Sequence, residues 1–466
     1  MKKLVLWLTV LVIVVSIIGT FSLSGCKKGA TAAEGTSTTE QTATTEQATT
    51  TKQATTEETA TTEQVKLTWW NIAAPTRSDA YKEVIKRFEA ANPNIKIDYQ
   101  ETNSETYRDD LFTAISSGTY PDIMWDWSYE NTFQYARNGS FLDLTPYYEA
   151  ENSAWKNSII PAALDSFKDK DGKIWGVPFF FQMKMFYYNT EIFKNLNLEV
   201  PKTWDEFISV CDKIKASGVT PIALGNLEKW NAMHYIDVLN QKYVGEATFE
   251  ADEVLSSEKP FTDEGYVKAL DTLKLLVDKY MNKDPNGVDY AASRVLFYSG
   301  KTAMIYDGLW QLGYYAGLSK EVPEEFWNKW DYFVFPDITG TKGDPNYIHG
   351  GCDAGWVVSS KCKYPDAAVK FLKFFTSPEI ASYIVKTTGE NIPVIGAVNS
   401  ENSIAPLIRA VEIIAKAKGA IPWEDIVMEA SLAELQKNEI QAVVGGEKTS
   451  KDAMDAMIKK AAELKK

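Results

Sequence analysis

The segment "VPFFFQMKMFYYN", Val177 to Asn189, decides how this chain folds. Of the twelve residues from Val177 to Tyr188, only Gln182 and Lys184 are charged or strongly polar. The run exceeds an ordinary strand of about five or six residues, and it falls short of the roughly twenty apolar residues that a bilayer span requires. We therefore expect an extended, buried segment whose unusual length has to be explained by the rest of the chain.

The composition limits the possible partners and cofactors. With 466 residues and 45% hydrophobic composition, the chain can form two or more compact domains. Its formal net charge of −14 repels phosphate backbones, so no nucleic-acid partner is expected. Two histidines, and cysteines without zinc-ligand spacing, predict neither a metal site nor a cofactor. Whether Cys352 and Cys362 form a disulfide, or stay thiols like Cys211, is left open.

The first 64 residues read as an export and anchoring region. Lys2 and Lys3 precede an apolar run, and "LSGC", Leu23 to Cys26, then resembles a bacterial lipobox. The resemblance implies a signal peptide over residues 1–25 and a lipid on Cys26, on the outer face of the cytoplasmic membrane. Residues 26–64 repeat "TTEQ" and hold almost no apolar side chains, which predicts a disordered Thr/Glu/Gln tether.

The remaining chain alternates between strand and helix patterns. "VKLTWWNI", "NIKIDYQE" and "YPDIMWDW" read as strands, and two amphipathic helical patterns separate them. This alternation predicts an α/β fold with a mainly parallel sheet flanked by helices. The same alternation returns after Tyr188, in "PKTWDEFISVCDKIKASG" and "VTPIALGN". Two such units in one chain predict two lobes.

Five stretches, several of which contain segments quoted above, occur along the chain in the order that is typical of one protein family. They are "GTYPDIMWDWSYENTFQYARNGSFLDLTPYY", "DGKIWGVPFFFQMKMFYYNTEIFKNLN", "PKTWDEFISVCDKIKASGVTPIALGN", "SGKTAMIYDGLWQLG" and "YPDAAVKFLKFFTSPE". From Val65 to the C-terminus the chain resembles the extracellular solute-binding proteins of ABC importers, in the carbohydrate group that includes maltose-binding protein. The resemblance implies a periplasmic-binding-protein-like fold and a non-enzymatic, monomeric protein that delivers a carbohydrate to membrane permease subunits.

The same resemblance explains the long segment. In that family, two lobes are joined by segments that cross between them, and "VPFFFQMKMFYYN", "TAMIYDG" and "HGGCDAGW" match three such crossings. The implied N-lobe comprises residues 65–183 and 307–350, and the implied C-lobe comprises residues 184–306 and 351–466. The first segment is long, on this interpretation, because it begins in one lobe and ends in the other.

Candidate ligand contacts follow from the chemistry of sugars. A sugar presents hydroxyl groups and flat apolar C–H faces, so its site needs Trp or Tyr platforms beside polar acceptors and donors. Such residues follow strands or lie in the crossings, where ligands of α/β sheets bind. The predicted set is Trp70, Asp126, Trp127, Asp307 and Trp310 from the N-lobe side, and Trp230, Asp353 and Trp356 from the C-lobe side. Weaker candidates are Arg77 and Asp79, and the tryptophans assigned to packing are Trp155, Trp175, Trp204, Trp327, Trp330 and Trp423.

Two other functions remain as alternatives. A cell-surface glycoside hydrolase would also combine tryptophans with a pair of carboxylates, and a surface adhesion protein would use the same anchor and tether. The chain shows no "GxSxG", P-loop or "HExxH" motif of common hydrolases. Tryptophans in loops favour a di- or oligosaccharide over a charged ligand, and the particular solute stays open because monosaccharide, glycerol phosphate and polyamine binders share the fold.

Overall fold

The computed structural model describes residues 63–466, without the side chains of residues 104 and 105. The predicted signal peptide, the predicted lipid attachment at Cys26 and the tether up to residue 62 lie outside the described residues. Within residues 63–466, no helix is both long enough and apolar enough to cross a membrane.

The strands form one mixed sheet. They are β1 (Val65–Ile72), β2 (Ile95–Thr102), β3 (Ile123–Trp127), β4 (Gly176–Asn189), β5 (Thr220–Ala223), β6 (Thr302–Gly308), β7 (Trp330–Phe333), β8 (Tyr347–Val358) and β9 (Gly419–Ile421). The order is β2-β1-β3-β8-β4-β6-β5, with β7 paired to β4 and β9 to β8. Strand β1 runs parallel to β2 and β3, and β5 runs parallel to β6. The sheet is mixed because β4 is antiparallel to β6, β7 and β8, and β8 is antiparallel to β3.

Helices cover the sheet. They are α1 (Pro75–Ala91), α2 (Ser104–Ser117), α3 (Glu130–Arg137), α4 (Thr145–Asn157), α5 (Pro161–Asp165), α6 (Thr190–Asn195), α7 (Trp204–Ala216), α8 (Trp230–Val244), α9 (Glu246–Glu253), α10 (Glu264–Tyr280), α11 (Tyr290–Tyr298), α12 (Leu312–Tyr315), α13 (Pro365–Phe375), α14 (Pro378–Thr388), α15 (Ala405–Lys416), α16 (Glu424–Val427), α17 (Ala430–Gly445) and α18 (Ser450–Leu464). Helix α7 shows how the sequence specifies them. Thr203 and Glu206 form a capping box at its start, and Phe207, Val210 and Ile214 share its buried face.

Strand β4 passes from one hydrophobic core to another. The first core contains Phe179 and Met183 together with residues of β1, β3 and β8, and no residue of β4 before Phe186 belongs to the second core. From Met185 onward the side chains alternate, with Met185 and Tyr187 in the first core and Phe186 and Tyr188 in the second, beside residues of β6 and α8. The pairing partner changes at the same point, because β4 pairs with β8 up to Met183 and with β6 from Lys184 onward. The α/β, two-lobed prediction is confirmed, and the crossing accounts for the length of the segment.

The lobe boundaries predicted after residue 306 need correction. Residues Cys352 to Ala410 contribute side chains to the first core, so the prediction that places 351–466 in the C-lobe is wrong for that part. The reason is that β8 leaves β9 beside the second core and then pairs with β3 and β4, carrying the following helices with it. Only the end of the chain, from Ile421 to Ala461, packs in the second core. Likewise, residues 309–332 pack with the first core, whereas Phe333, Phe335 and Ile338 pack with the second.

Cys352 and Cys362 do not form a disulfide, which the sequence had left open. Cys211, Cys352 and Cys362 are all free thiols. Burial raises the pKa of the Cys352 thiol to about 12, and it raises the pKa of Cys211 as well. Both side chains therefore act as small buried hydrophobes in the two cores.

Candidate ligand-binding site

The two polar residues of the crossing strand are the starting point of the site. Gln182 and Lys184 lie two positions apart on β4, so both side chains leave the same face of the strand. Their exposures are only 3% and 2%. Gln182 Oε1 is buried without a hydrogen-bond partner, and Lys184 Nζ lies 3.4 Å from Asn231 Oδ1. Buried polar groups with so little pairing are costly in a core, so this face of β4 marks a polar site.

An aromatic group surrounds the Lys184 ammonium. Its Nζ lies 5.1 Å from the ring centre of Trp230, 5.2 Å from that of Tyr306 and 5.9 Å from that of Trp310. Trp230 follows β5 and Trp310 follows β6, and their ring centres are 6.4 Å apart. Ammonium and aromatic faces attract one another. Two tryptophans predicted from separate loops thus meet at the ends of neighbouring parallel strands, and both stay partly exposed.

Asp307 holds this aromatic group in position. The hydroxyl of Tyr290, at the start of α11, donates to Asp307 Oδ2 at 3.0 Å and accepts from Trp310 Nε1 at 2.7 Å. The Gly308 N–H donates to Asp307 Oδ1 at 2.8 Å. Burial raises the pKa of Asp307 above its ordinary value. Because its oxygens already accept these bonds, Asp307 orients the Trp310 indole through Tyr290.

A second polar group lies on the side of the first core. Arg77, in the first turn of α1, places Nε 3.1 Å from Glu390 Oε1, and the two side chains are 12% and 4% exposed. Its guanidinium lies 5.1 Å from the ring centre of Trp125 and 5.0 Å from that of Phe180. Arg77 Nη1, Trp125 Nε1 and Glu390 Oε2 have no hydrogen-bond partner in the protein. Unpaired donors and an unpaired acceptor lie side by side, and a hydroxyl group can satisfy both kinds.

Trp423 contacts both the aromatic group and Asp353. Its Nε1 donates to Asp353 Oδ2 at 3.4 Å, and its ring centre lies 4.6 Å from that of His234 and 6.1 Å from that of Trp310. Asp353 Oδ1 is buried without a partner, and burial raises the pKa of Asp353 to about 7. Trp423 is only 3% exposed, in agreement with its assignment to packing, and the pairing of β9 with β8 also brings its indole against Asp353.

Both histidines of the chain lie beneath the aromatic group. His349 Nε2 is 3.1 Å from Asp237 Oδ2, and its Nδ1 is 2.7 Å from the Tyr306 hydroxyl. His234 Nδ1 is buried without a partner. Burial lowers the pKa of both imidazoles well below the ordinary value, so both are neutral. Within residues 63–466 no group of three or more His, Cys, Asp or Glu side chains is arranged to hold a metal ion.

Asp126 and Trp127 belong to a third group, at the contact of α2 and α3 with α16. Asp126 Oδ2 accepts from Thr132 Oγ1 at 3.0 Å, Oδ1 has no partner, and burial raises the Asp126 pKa to about 7. The Arg108 guanidinium lies 4.3 Å from the ring centre of Trp127. Arg108 Nη2 also lies 3.5 Å from Asp425 Oδ2. This group connects elements of the first core to the segment that leads into the second.

The remaining predicted residues, Trp356 and Trp70, lie in different surroundings. Trp356 is fully buried, with its ring 4.2 Å from Phe179 and 4.8 Å from Phe375, so the prediction that it faces a ligand is wrong. Its side chain leaves β8 on the face that the first core covers. Trp70 is partly buried on the opposite face of β1 from the core residue Trp69. Its role in binding stays a prediction.

Several site residues were missed, and some left a signal. Gln182 and Lys184 interrupt an otherwise apolar crossing, and polarity at two positions of one strand face could have identified them. Arg77 was only a weaker candidate in the sequence, because its buried partner Glu390 is more than three hundred positions away in the chain. Tyr290 and Glu390 leave no such signal, since neither follows a recognisable strand.

The chain is similar to known extracellular binding proteins. The family described as bacterial extracellular solute-binding protein matches residues 74–382. The multiple sugar-binding protein of Streptococcus mutans serotype c is 28% identical over 337 residues, which is 70% of this chain and 75% of that protein.

Solved structures extend this similarity to the fold. A structure described in work on xylan utilization by Caldanaerobius polysaccharolyticus has a TM-score of 0.78 and 26% identity. It covers 85% of this chain and 100% of that one. A chitin oligosaccharide binding protein has a TM-score of 0.77 and 27% identity, over 86% of this chain and 98% of that one.

Proposed function

The chain belongs to the bacterial extracellular solute-binding proteins, and we propose that it captures a neutral di- or oligosaccharide for an ABC importer. The observation that carries this proposal is the set of unpaired, buried polar atoms beside partly exposed indole rings. It comprises the donors Arg77 Nη1 and Trp125 Nε1, and the acceptors Gln182 Oε1, Asp353 Oδ1 and Glu390 Oε2. Sugar hydroxyls donate and accept, so one ligand can satisfy both kinds of group.

The charges of the site favour a neutral ligand. Arg77 is balanced by Glu390 at 3.1 Å, and Arg108 by Asp425 at 3.5 Å. Lys184 lies in the field of several carboxylates, chiefly Asp307. A phosphate or carboxylate would need a cation without such a partner, because removing an unbalanced charge from water is costly. The indole faces of Trp230 and Trp310 instead suit the C–H surfaces of a sugar.

We further propose that two lobes close on the sugar. The first comprises residues 65–183, 309–332 and 352–410, and the second comprises residues 184–306, 333–350 and 419–466. Few segments cross between them, so bending at β4, β6 and β8 disturbs little packing. Small-angle scattering of the protein with and without its best ligand should show a compaction, and an unchanged radius of gyration at saturation would count against closure.

The location and the partner complete the proposal. A lipid on Cys26 would hold the protein at the outer face of the cytoplasmic membrane. From there, as a monomer, it would deliver its ligand to the transmembrane permease subunits. Mass spectrometry of the N-terminal peptide tests the anchor. An unmodified Cys26 with residues 1–25 still attached would overturn it.

A saccharide screen tests the function itself. Thermal unfolding is measured with neutral mono-, di- and trisaccharides, with glycerol 3-phosphate and with a polyamine. A bound ligand at a hundred times its dissociation constant adds about 2.7 kcal/mol to stability. We expect stabilisation by neutral di- or trisaccharides, which chromatography then recovers intact. Cleaved sugars would indicate a hydrolase, and no response to any sugar would contradict the proposal.

A further inference from the structure

One contact between the two lobes lies outside the strands that cross between them. Asn131 Nδ2, at the start of α3, donates to the backbone carbonyl oxygen of Asp425 at 3.1 Å, and both residues are buried. Arg108 Nη2, on α2, lies 3.5 Å from Asp425 Oδ2. Asp425 belongs to α16 of the second lobe, whereas α2 and α3 belong to the first. One residue of the second lobe therefore holds two side chains of the first.

Helix α16 is anchored in the second lobe. Its residue Glu424 is fully buried and accepts from Asn240 on α8 at 3.1 Å and from Gln436 on α17 at 2.7 Å. The helix also packs against α8 and α17. Adjacent residues of this short helix thus serve different lobes, because Glu424 joins it to the second lobe and Asp425 contacts the first. When the second lobe moves, Asp425 moves with it.

The arginine on the first lobe is held in place as well. The Arg108 guanidinium lies 4.3 Å from the ring centre of Trp127, and a cation and an aromatic face attract one another. The Trp127 ring centre in turn lies 6.1 Å from that of Tyr107. Because these contacts lie within the first lobe, they persist whether or not Asp425 is near. Little side-chain entropy is then lost when the ion pair with Asp425 forms.

We propose that Arg108, Asn131 and Asp425 form a latch that stabilises the closed arrangement of the lobes, with or without a ligand. The inference rests on the proposed function and adds which residues regulate closure. None of the three belongs to a crossing strand, so bending at β4, β6 and β8 separates Asp425 from its partners. They are positioning residues, because they act on the closing equilibrium, and the closed fraction scales the apparent affinity for every enclosed ligand alike.

A neutral ligand makes the contribution of the ion pair measurable. The Arg108 side chain is 36% exposed, so dissolved salt screens its attraction to Asp425. A neutral sugar carries no charge, and its own contacts therefore depend little on salt. Calorimetry on wild type should show affinity for a neutral sugar falling by about twofold as sodium chloride rises from about 10 mM to about 500 mM.

Two substitutions break the ion pair and leave the cores undisturbed. Arg108→Met keeps the apolar stem beside Trp127 and removes the charge. Asp425→Asn keeps the backbone carbonyl that Asn131 uses. Each should weaken binding of every saccharide that wild type binds by one common factor, about two- to fivefold, mainly through faster dissociation, and should remove the salt dependence. The double variant should bind like either single variant, because both substitutions break the same pair.

A measurement without sugar separates the latch from the proposed function. Small-angle scattering of the ligand-free protein should give a larger radius of gyration for Arg108→Met than for wild type. Arg137→Met is the matched control, because Arg137 Nη1 donates to Glu130 Oε2 at 3.0 Å on the same helix, α3, within one lobe. This control should change neither the radius, nor the affinity, nor its salt dependence.

Each other result is decisive. Equal affinity of wild type and both single variants for the best saccharide overturns the latch and leaves the proposed function intact. Losses that differ between saccharides, or that add up in the double variant, also overturn it, because they indicate direct contacts with the ligand. An unchanged radius in Arg108→Met overturns it too. If no saccharide binds wild type, the proposed function fails, and the scattering comparison alone decides whether the latch exists.

Discussion

The hydroxyl of Tyr290 donates to Asp307 Oδ2 at 3.0 Å while it accepts from the Trp310 indole at 2.7 Å. One phenol therefore connects a buried carboxylate to the indole that we propose as a platform for the ligand. Tyr290→Phe leaves the indole N–H without this partner and leaves Asp307 with one fewer donor. We expect a loss of roughly 1–3 kcal/mol in stability, because a buried polar group is left unpaired. Calorimetry should show a weaker affinity as well.

A second tyrosine provides the control for this variant. Tyr280 donates to Asp212 Oδ1 at 2.8 Å, the same kind of bond, on α10 and α7. Tyr280→Phe should lower stability without changing affinity. If Tyr290→Phe binds the best saccharide as tightly as wild type, Trp310 does not depend on this connection.

The tryptophans of the aromatic group should affect binding rather than stability. Trp230→Ala and Trp310→Ala should each weaken binding at least about thirtyfold, since truncating a central stacked residue removes about 2 kcal/mol or more. Thermal unfolding without ligand should barely change, because neither ring packs against either hydrophobic core. Calorimetry and thermal unfolding on the same preparations make the comparison.

Trp204 is the matched control for these tryptophans. Its ring stacks on Phe335 at 5.8 Å and lies 5.4 Å from Phe207, against the second core. Trp204→Ala should therefore lower stability and change affinity less. Normal binding by both Trp230→Ala and Trp310→Ala would show that the ligand site lies elsewhere, even though the family is established.

Lys184 should make binding depend on pH. Burial lowers the pKa of its ammonium to about 8, and Asp307 and Asp237 oppose that effect. Lys184 is thus charged below about pH 8 and neutral above it. If the ammonium donates to a sugar hydroxyl, affinity should decline as the pH rises through about 8. Lys184→Met should bind more weakly and show no decline between pH 7 and 9.

Lys242 tests whether any buried lysine would have this effect. Its Nζ is 3.4 Å from Asp337 Oδ1, and its side chain is only 4% exposed, on α8. Lys242→Met should retain both the wild-type affinity and its pH profile. A flat wild-type profile from pH 7 to 9 would exclude the donation by Lys184.

Glu424 should reduce stability at neutral pH. It is fully buried, accepts from Asn240 at 3.1 Å and from Gln436 at 2.7 Å, and has its pKa raised to about 7 by burial. Its unfolded value is about 4.3, so the folded protein binds more protons than the unfolded chain between these values. Stability from this group is therefore highest below about pH 4.3 and falls as the pH rises to about 7.

Glu424→Gln tests that direction. The amide cannot ionise, so the stability of the variant relative to wild type should be higher at pH 8 than at pH 4.5. Denaturant unfolding at the two pH values measures the difference. Glu439→Gln is the control, because the Glu439 carboxylate pairs with Lys448 at 2.6 Å, and it should not produce this gain. An equal difference from wild type at both pH values would contradict the prediction.

Much of the fold followed from local patterns. The alternation of strands and helices depends on periodicity, which is a property of neighbouring residues. The unusual length of the β4 segment was also visible in the sequence, and the family resemblance implied that it crosses between lobes. The boundaries after residue 306 did not follow, because they depend on β8 pairing with β3 and β4. Those strands are far away in the chain, and no local pattern encodes the choice of partner.

The residues of the candidate site can likewise be separated into those that the sequence indicated and those whose surroundings only the tertiary structure decided. The sequence by itself determined which loops carry indoles, and that Gln182 and Lys184 interrupt an apolar crossing. Only the tertiary structure decided that Trp356 is core and that Trp423 contacts Asp353. Strand alternation says that a side chain faces one side of a sheet or the other. Which side holds the core and which holds the ligand is set by packing between distant segments.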